Sequence, residues 1–141
     1  MNYARLVLAA VAATVFDAIY GFGIYGTLLA PEFAKYPSVY RSEQTGPAYL
    51  PLMFGGRFVA TVVVAIMYAK GYQGGSGLAE GARFGLLLGI FVVLAFAAVN
   101  YATLEIGRRL AVMVAAAAFV EWFAIGTIVG LDYQPAAGSR R

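Results

Sequence analysis

Four apolar stretches, each long enough to cross a bilayer, constrain this sequence more than any other feature. The first runs from Leu6 to Leu29 and carries a carboxylate, Asp17, near its middle. The others lie near 49–70, 82–104 and 110–131. One helical crossing of about 30 Å of hydrocarbon takes about 20 residues. The pattern predicts an all-α polytopic membrane protein, an up-down bundle of four transmembrane helices with a long loop at 30–48.

The composition agrees with a lipid bilayer as the solvent. Of the 141 residues, 62% are hydrophobic and 12% are charged, whereas about 25% of the residues in soluble domains are charged. This length holds four spans and their connections, so we predict a single transmembrane domain over 1–141. The first 16 residues are similar to a secretory signal, but the apolar run continues to Leu29 and favours a retained helix.

The composition also excludes several classes of function. The net charge of +3 is spread over short loops without a basic stripe, so we expect no nucleic-acid partner. The sequence has no Cys and no His, which excludes disulfides, thiol redox chemistry, thiolate zinc sites and histidine ligands for haem. We therefore expect no metal and no cofactor, and the lipid bilayer is the expected partner.

Asp17 needs a compensating group because a charge in the middle of a bilayer costs roughly 3 kcal/mol and normally turns inward. Arg57 lies within the second apolar stretch and Glu121 within the fourth. At about 1.5 Å per residue, all three reach the middle third of the membrane. We predict that Arg57 lies within ion-pairing or one-water distance of at least one of the two acids. A purely structural ion pair that fixes the helix register remains an open alternative.

Other polar residues extend this seam along the helices. Asn100 follows Gly89 by three helical turns, so we expect its amide on the same inward face. The candidates for ligand binding or proton relay are Asp17, Arg57, Asn100 and Glu121. The secondary candidates are Thr14, Tyr20, Thr61, Tyr68, Thr103 and Trp122. No catalytic residue is assigned.

Small residues at four-residue spacing predict close helix packing. In lipid the hydrophobic effect does not drive helices together, so glycines that let backbones approach become the packing signal. The packing candidates are Gly21, Gly81, Gly85, Gly89, Gly126 and Gly130. Residues 71–80 are rich in Gly and Ser, which predicts a flexible linker, and 132–141 are expected to form a frayed tail.

The even number of spans predicts both termini on the same side of the membrane. Near the span ends, the terminal side has Arg5, Lys70, Arg83, Arg140 and Arg141, and the other side has Lys35, Arg41, Arg108 and Arg109. Positively charged residues are more frequent in cytoplasmic loops. The count favours cytoplasmic termini.

Three short motifs resemble those of a known family. They are FDAIY at 16–20 in the first span, NYATL at 100–104 after the third, and VEW at 120–122 in the fourth. Together they resemble a family of small bacterial four-helix membrane proteins known only as a domain of unknown function. The resemblance implies a location in the bacterial inner membrane and brings no activity with it. Arg57 matches no position of the family pattern.

Three classes of function remain open. In the first, the protein binds or passes a proton, an ion or a small amphipathic ligand at the polar seam. In the second, it is an accessory or assembly subunit that packs through its small-residue faces in a homo-oligomer or a larger membrane complex. In the third, it is a membrane enzyme with a buried carboxylate as general acid or base. The third has least support because no nucleophile–base pair or metal set is visible.

Overall fold

Four long helices make up the protein, which we describe over residues 2–133 of a computed structural model. They are α1 (Tyr3–Leu28), α2 (Gly46–Gly71), α3 (Gly77–Thr103) and α4 (Arg108–Asp132). All four are long and apolar enough to cross a membrane, and residues 2–133 contain no strand. The predicted all-α, four-span fold is confirmed, and the chain is a multi-pass membrane protein.

The helices run up and down, so the chain has two ends with different connections. The terminal end holds Asn2, the connection 72–76 and Tyr133. The long-loop end holds the connections 29–45 and 104–107. In the long connection, a short helix at Ala30–Phe33 carries a proline in its first turn, where the missing N–H costs nothing.

The fourth helix is the centre of the packing. α4 contacts each of the other three helices, and α3 packs almost entirely on α4. α1 packs against both α2 and α4. The apolar core near the terminal end is shared by these three helices and includes Ala9, Ala13, Val64, Ala65, Ile125 and Val129. Because these side chains are small or compact, the helix axes can approach closely.

Glycines hold α3 against α4. A Cβ built on Gly81 would lie 2.9 Å from the Gly130 Cα, and one built on Gly85 would overlap the Phe123 carbonyl. Gly126 faces the Gly85 backbone in the same way, so neither side of the interface has room for a side chain. Gly89 lies against the Phe119 ring, since a Cβ built on it would lie 2.9 Å from the Phe119 Cδ2. The glycine stripes of α3 and α4 therefore face each other.

Gly21 does not pack, and its assignment as a packing residue was wrong. A Cβ on Gly21 would meet no atom within 4 Å. At this height the link between α1 and α4 is made by tyrosine side chains, since Tyr20 donates to the Ala117 carbonyl over 2.9 Å and Tyr25 reaches Glu121. Long side chains bridge the helices here, so no close backbone contact forms.

Two π-helical segments lie in the half of the bundle near the long-loop end. Ile24–Leu28 ends α1, and Val93–Ala98 interrupts α3 between the α-helical parts Gly77–Val92 and Val99–Thr103. Their i→i+5 hydrogen bonds give a smaller rotation per residue than an α-helix has. Side chains beyond each segment therefore point in directions that regular helical spacing does not predict.

The terminal end is more ordered than the sequence predicted. α3 begins at Gly77, so the second half of the predicted 71–80 linker is helical. Glu80 accepts from the Gln73 and Gly75 amides, which fixes the connection on the first turn of α3. Tyr133 is 3% exposed, in contrast to the predicted frayed tail. Its ring packs against Tyr68 and Tyr72; residues 134–141 of that tail lie outside the described residues.

Polar contacts tie the two connections at the long-loop end. The Tyr36 hydroxyl accepts from the Gly107 amide over 3.0 Å. Glu32 pairs with Lys35 at 2.8 Å and with Arg109 at 3.1 Å. The hydrogen bond from Lys35, with the nearby charge of Arg109, lowers the pKa of Glu32 below its ordinary value. These contacts join the connection after α1 to the start of α4.

Candidate functional site

Three charged side chains from three helices meet in the middle of the bundle. Arg57 Nε on α2 donates to Asp17 Oδ2 on α1 over 2.9 Å. Arg57 Nη2 contacts both Asp17 Oδ1 and Glu121 Oε1, which lies on α4. The two carboxylates therefore lie side by side on one guanidinium nitrogen. We call Asp17, Arg57 and Glu121 the charged cluster.

The two acids of the cluster are buried, whereas the arginine is not fully covered. The exposed fraction of the side chain is 4% for Asp17, 2% for Glu121 and 30% for Arg57. One turn earlier on the same helix faces lie the buried residues Ala13 and Ala117. Their small side chains leave space between the helices for the longer ionic groups.

Tyrosines of α1 surround Glu121. The Tyr25 hydroxyl donates to Glu121 Oε2 over 3.2 Å, and the Tyr20 and Tyr25 rings pack edge to face at 6.3 Å. The other carboxylate oxygen, Oε1, contacts Arg57 as an ion pair. Asp17 is held by both Nε and Nη2 of the same guanidinium. Glu121 is thus the acid with fewer charged contacts.

Tyr25 was missed in the sequence. It follows Asp17 by eight residues, which on a regular α-helix places the two side chains about 80° apart. The π-helical segment Ile24–Leu28 changes that register and accompanies the contact of Tyr25 with Glu121. The one sequence signal that pointed to Tyr25 is a tyrosine within an apolar span, close to the proline that ends the span.

Three further predicted residues contact the cluster or lie next to it. The Arg57 guanidinium carbon lies 5.1 Å from the centre of the Trp122 ring, within the range of a cation–π interaction. The hydroxyls of Thr14 and Thr61 lie 2.6 Å apart and join α1 to α2 one turn below the Asp17–Arg57 pair. Each is also 2.8 Å from a backbone carbonyl of its own helix. Because a hydroxyl has one proton, one of the two donates to the other.

The structure does not bring Asn100, Thr103 or Tyr68 to the cluster. Asn100 is exposed, so the prediction of an inward amide was wrong. The π-helical segment Val93–Ala98 lies between Gly89 and Asn100, and its smaller rotation turns the amide away from the glycine face. Thr103 is exposed and donates to its own helix over 2.9 Å. Tyr68 is buried at the terminal end among aromatic rings.

A cavity of about 660 Å³ lies at the long-loop end. Its wall includes Tyr25, Phe33, Tyr40, Arg41, Glu43 and Leu50. Tyr25 belongs to both places, because its side chain lines the cavity and its hydroxyl bonds to Glu121. The cavity and the cluster are therefore one hydrogen bond apart.

Comparison with known families identifies the chain. The profile of a family described as "Protein of unknown function (DUF1761)" matches residues 8–130. The chain belongs to the DUF1761 family. The match spans all three residues of the charged cluster and confirms the resemblance seen in the sequence motifs. Neither the curated proteins nor the solved structures gave a match.

The side of the cluster that faces the terminal end is apolar in this DUF1761 protein. Below the threonine pair, the buried layer consists of Leu6, Ala9, Ala10, Val64, Ala65 and Val129. Thr61 and Tyr68 are separated by two turns, or about 10 Å along α2. No described side chain donates to or accepts from the Tyr68 hydroxyl. The described polar contacts thus lead from the cluster to the long-loop end and stop short of the terminal end.

The chemistry that this arrangement of side chains fits best is acid–base chemistry. The charged cluster of the DUF1761 chain contains two carboxylates and one guanidinium, and the phenolic hydroxyl of Tyr25 is hydrogen-bonded to it. Carboxylates and a hydroxyl accept and donate protons, whereas arginine keeps its charge. The geometry therefore fits a site that holds a proton or another cation between two acids.

Proposed function

We propose that this membrane protein binds and exchanges a proton at the charged cluster, with Glu121 as the acid that carries it. The observation behind the proposal is that two buried carboxylates contact one nitrogen of a single guanidinium. With both acids ionised, the cluster has a net charge of −1. An uncompensated charge at this depth costs roughly 3 kcal/mol or more. One proton removes that charge.

Glu121 is the better of the two acids for this role. Asp17 receives the guanidinium through Nε and Nη2, a two-point contact of the kind that makes Arg–carboxylate pairs strong. Glu121 has one contact with Arg57 and one hydrogen bond from the neutral Tyr25. The interaction free energy that is lost when Glu121 is protonated is therefore smaller than that lost when Asp17 is protonated.

The proton reaches Glu121 from the long-loop end. Tyr25 lines the cavity there, and its hydroxyl, which donates to Glu121, can donate and accept at once. The apolar layer of α1, α2 and α4 covers the other side of the cluster. Exchange through Tyr25 is therefore one-sided in this conformation.

Infrared spectroscopy of the protein in lipid nanodiscs tests the proposal. A protonated carboxylic acid has a carbonyl stretch that an ionised carboxylate lacks. We expect this band at neutral pH in the native protein and in the control Glu105→Gln, whose acid is exposed and lies outside the cavity wall. Glu121→Gln should remove the band, and transfer to deuterated buffer should shift it more slowly in Tyr25→Phe.

Three results would contradict the proposal or one of its parts. The absence of a protonated-acid band at neutral pH would show that the cluster holds no proton. A band that survives in Glu121→Gln but is lost in Asp17→Asn would place the proton on the other acid. Equal exchange rates in Tyr25→Phe and the native protein would remove the route through the cavity.

The same excess of negative charge also suits a small cation. We propose that the protein lies in the bacterial inner membrane with both termini in the cytoplasm, on the basis of the family resemblance and the Lys and Arg count.

The alternative function, as an accessory subunit, is supported by large apolar side chains on the outer surface, such as Ile19 and Phe22, which are 70% and 77% exposed. Co-purification of a second membrane protein in fixed stoichiometry would favour that alternative.

A further inference from the structure

Arg57 keeps part of its guanidinium free of the cluster. Its contacts with Asp17 and Glu121 all use Nε and Nη2. No residue within 2–133 forms a hydrogen bond or ion pair with Nη1. The side chain is 30% exposed, in contrast to 4% for Asp17. Arg57 therefore presents two N–H donors outward.

The depth of Arg57 makes this exposure unusual. Arg57 is eleven residues from the start of α2 at Gly46, or about 16 Å along the helix, which is the middle of a hydrocarbon layer about 30 Å thick. Its helical neighbours Phe54 and Phe58 are 45% and 46% exposed and apolar. Lipid chains offer no hydrogen-bond acceptor, and an unsatisfied polar group in lipid costs several kcal/mol. Some other group must satisfy Nη1.

The chemistry of the surroundings limits what that group is. A cation is repelled by the guanidinium edge itself. An anion is disfavoured in either protonation state of Glu121, because it would add an uncompensated negative charge to a cluster whose net charge is −1 or, with one proton bound, zero. Water is scarce at this depth. The remaining class is a neutral molecule with hydrogen-bond acceptors, lipophilic enough to reach the middle of the bilayer. The ring of Trp122, 5.1 Å from the guanidinium carbon, offers an aromatic surface beside the donors.

We propose that Arg57 Nη1 and the Trp122 ring form a binding site for a neutral lipophilic molecule that presents carbonyl oxygens, such as an alkyl quinone or a long-chain ketone. The carbonyl accepts from Nη1, and the body of the molecule lies against Trp122 and the exposed phenylalanines of α2. This site uses the guanidinium edge, whereas the proton site uses the carboxylates. It stands whether or not Glu121 carries a proton.

The protein supplies its own reporter for this site, since Trp122 is the single tryptophan of the chain. The probe is decylbenzoquinone, titrated into the full-length protein in nanodiscs while tryptophan fluorescence is recorded. We expect saturable quenching. Undecanone, which carries a carbonyl but no quinone ring, should displace the probe, and undecane, which has no carbonyl, should not.

Three variants separate binding from simple partitioning into lipid. Arg57→Lys keeps the charge for both acids but removes the planar edge, and we expect binding to weaken by about tenfold, the equivalent of one good hydrogen bond. Arg83→Lys makes the same exchange at an exposed position of α3 and should bind like the native protein. The double variant Trp122→Phe, Phe91→Trp moves the tryptophan reporter to an exposed position on α3. There we expect quenching to rise linearly with the concentration of the probe.

Saturation with the native protein, displacement by undecanone and weakening in Arg57→Lys support the site. Linear quenching in the native protein, equal affinity in Arg57→Lys, or equal displacement by undecane would overturn it. The infrared measurement tests the proton site and the fluorescence measurement tests the carbonyl site. Either proposal can therefore fail while the other stands.

Discussion

Arg57 is the residue on which both acids of the cluster depend. Asp17 and Glu121 have no other cationic partner within the described range. Removing one partner from a buried ion pair leaves an uncompensated charge, which costs more than the pair itself contributes. Substitutions at the three positions should therefore have unequal effects on stability.

We expect Arg57→Ala to lower the free energy of unfolding by about 3–5 kcal/mol, because it leaves Asp17 as an uncompensated buried charge and removes the ion-pair partner of Glu121. Glu121→Gln should cost much less, since an amide replaces the protonated acid in shape and charge. The measurement is unfolding by denaturant in detergent micelles. Arg83→Ala, at an exposed position, serves as the control for loss of an arginine.

The same series tests whether the three residues act together. The double variant Arg57→Ala, Asp17→Asn should be less destabilised than the sum of the two single losses, because neutralising an acid relieves the stranded charge. Strict additivity in this cycle and in the matching cycle with Glu121→Gln would show that no charged cluster forms.

Among the elements, α3 and α4 have the interface that is least tolerant of added volume. Gly85 has no room for a Cβ because it faces the Phe123 backbone, whereas Gly55 on α2 has nothing within 4 Å. Both glycines lie inside helices. The pair therefore offers a matched comparison of packed and open positions.

Gly85→Ala should destabilise the protein by about 1–3 kcal/mol, because the methyl group forces two backbones apart. Gly55→Ala should leave stability unchanged or raise it by roughly 1 kcal/mol, since alanine has the higher helix propensity. Thermal unfolding in detergent compares them. If the two variants melt at the same temperature, the glycine contact between α3 and α4 does not determine stability.

The elements also show how far sequence reasoning reaches. The apolar runs indicated all four helices, and the cost of a membrane charge indicated that Asp17, Arg57 and Glu121 belong together. Regular helical spacing failed at Asn100, which lies beyond a π-helical segment. No rule of spacing or composition marks where such a segment begins, so the orientation of Asn100 and the contact of Tyr25 were out of reach.

At the scale of the whole molecule, the single span α2 lies between the connections 29–45 and 72–76, which therefore lie on opposite faces of the membrane. The chain has no cysteine, so single cysteines can be introduced without a background. Ser76→Cys and Ser42→Cys should react with a membrane-impermeant maleimide from opposite sides. Labelling of both from one side would contradict the four-span arrangement.

The central position of α4 has a consequence for how the protein is made. The ribosome completes α1 and α2 first, so Asp17 and Arg57 enter the membrane as a hairpin whose two charges cancel. Glu121 enters with α4, after Arg57 already has an anion. Insertion of α4 thus adds one negative charge to a neutral assembly, and on the proposed chemistry the cluster takes up its proton only once α4 is in place.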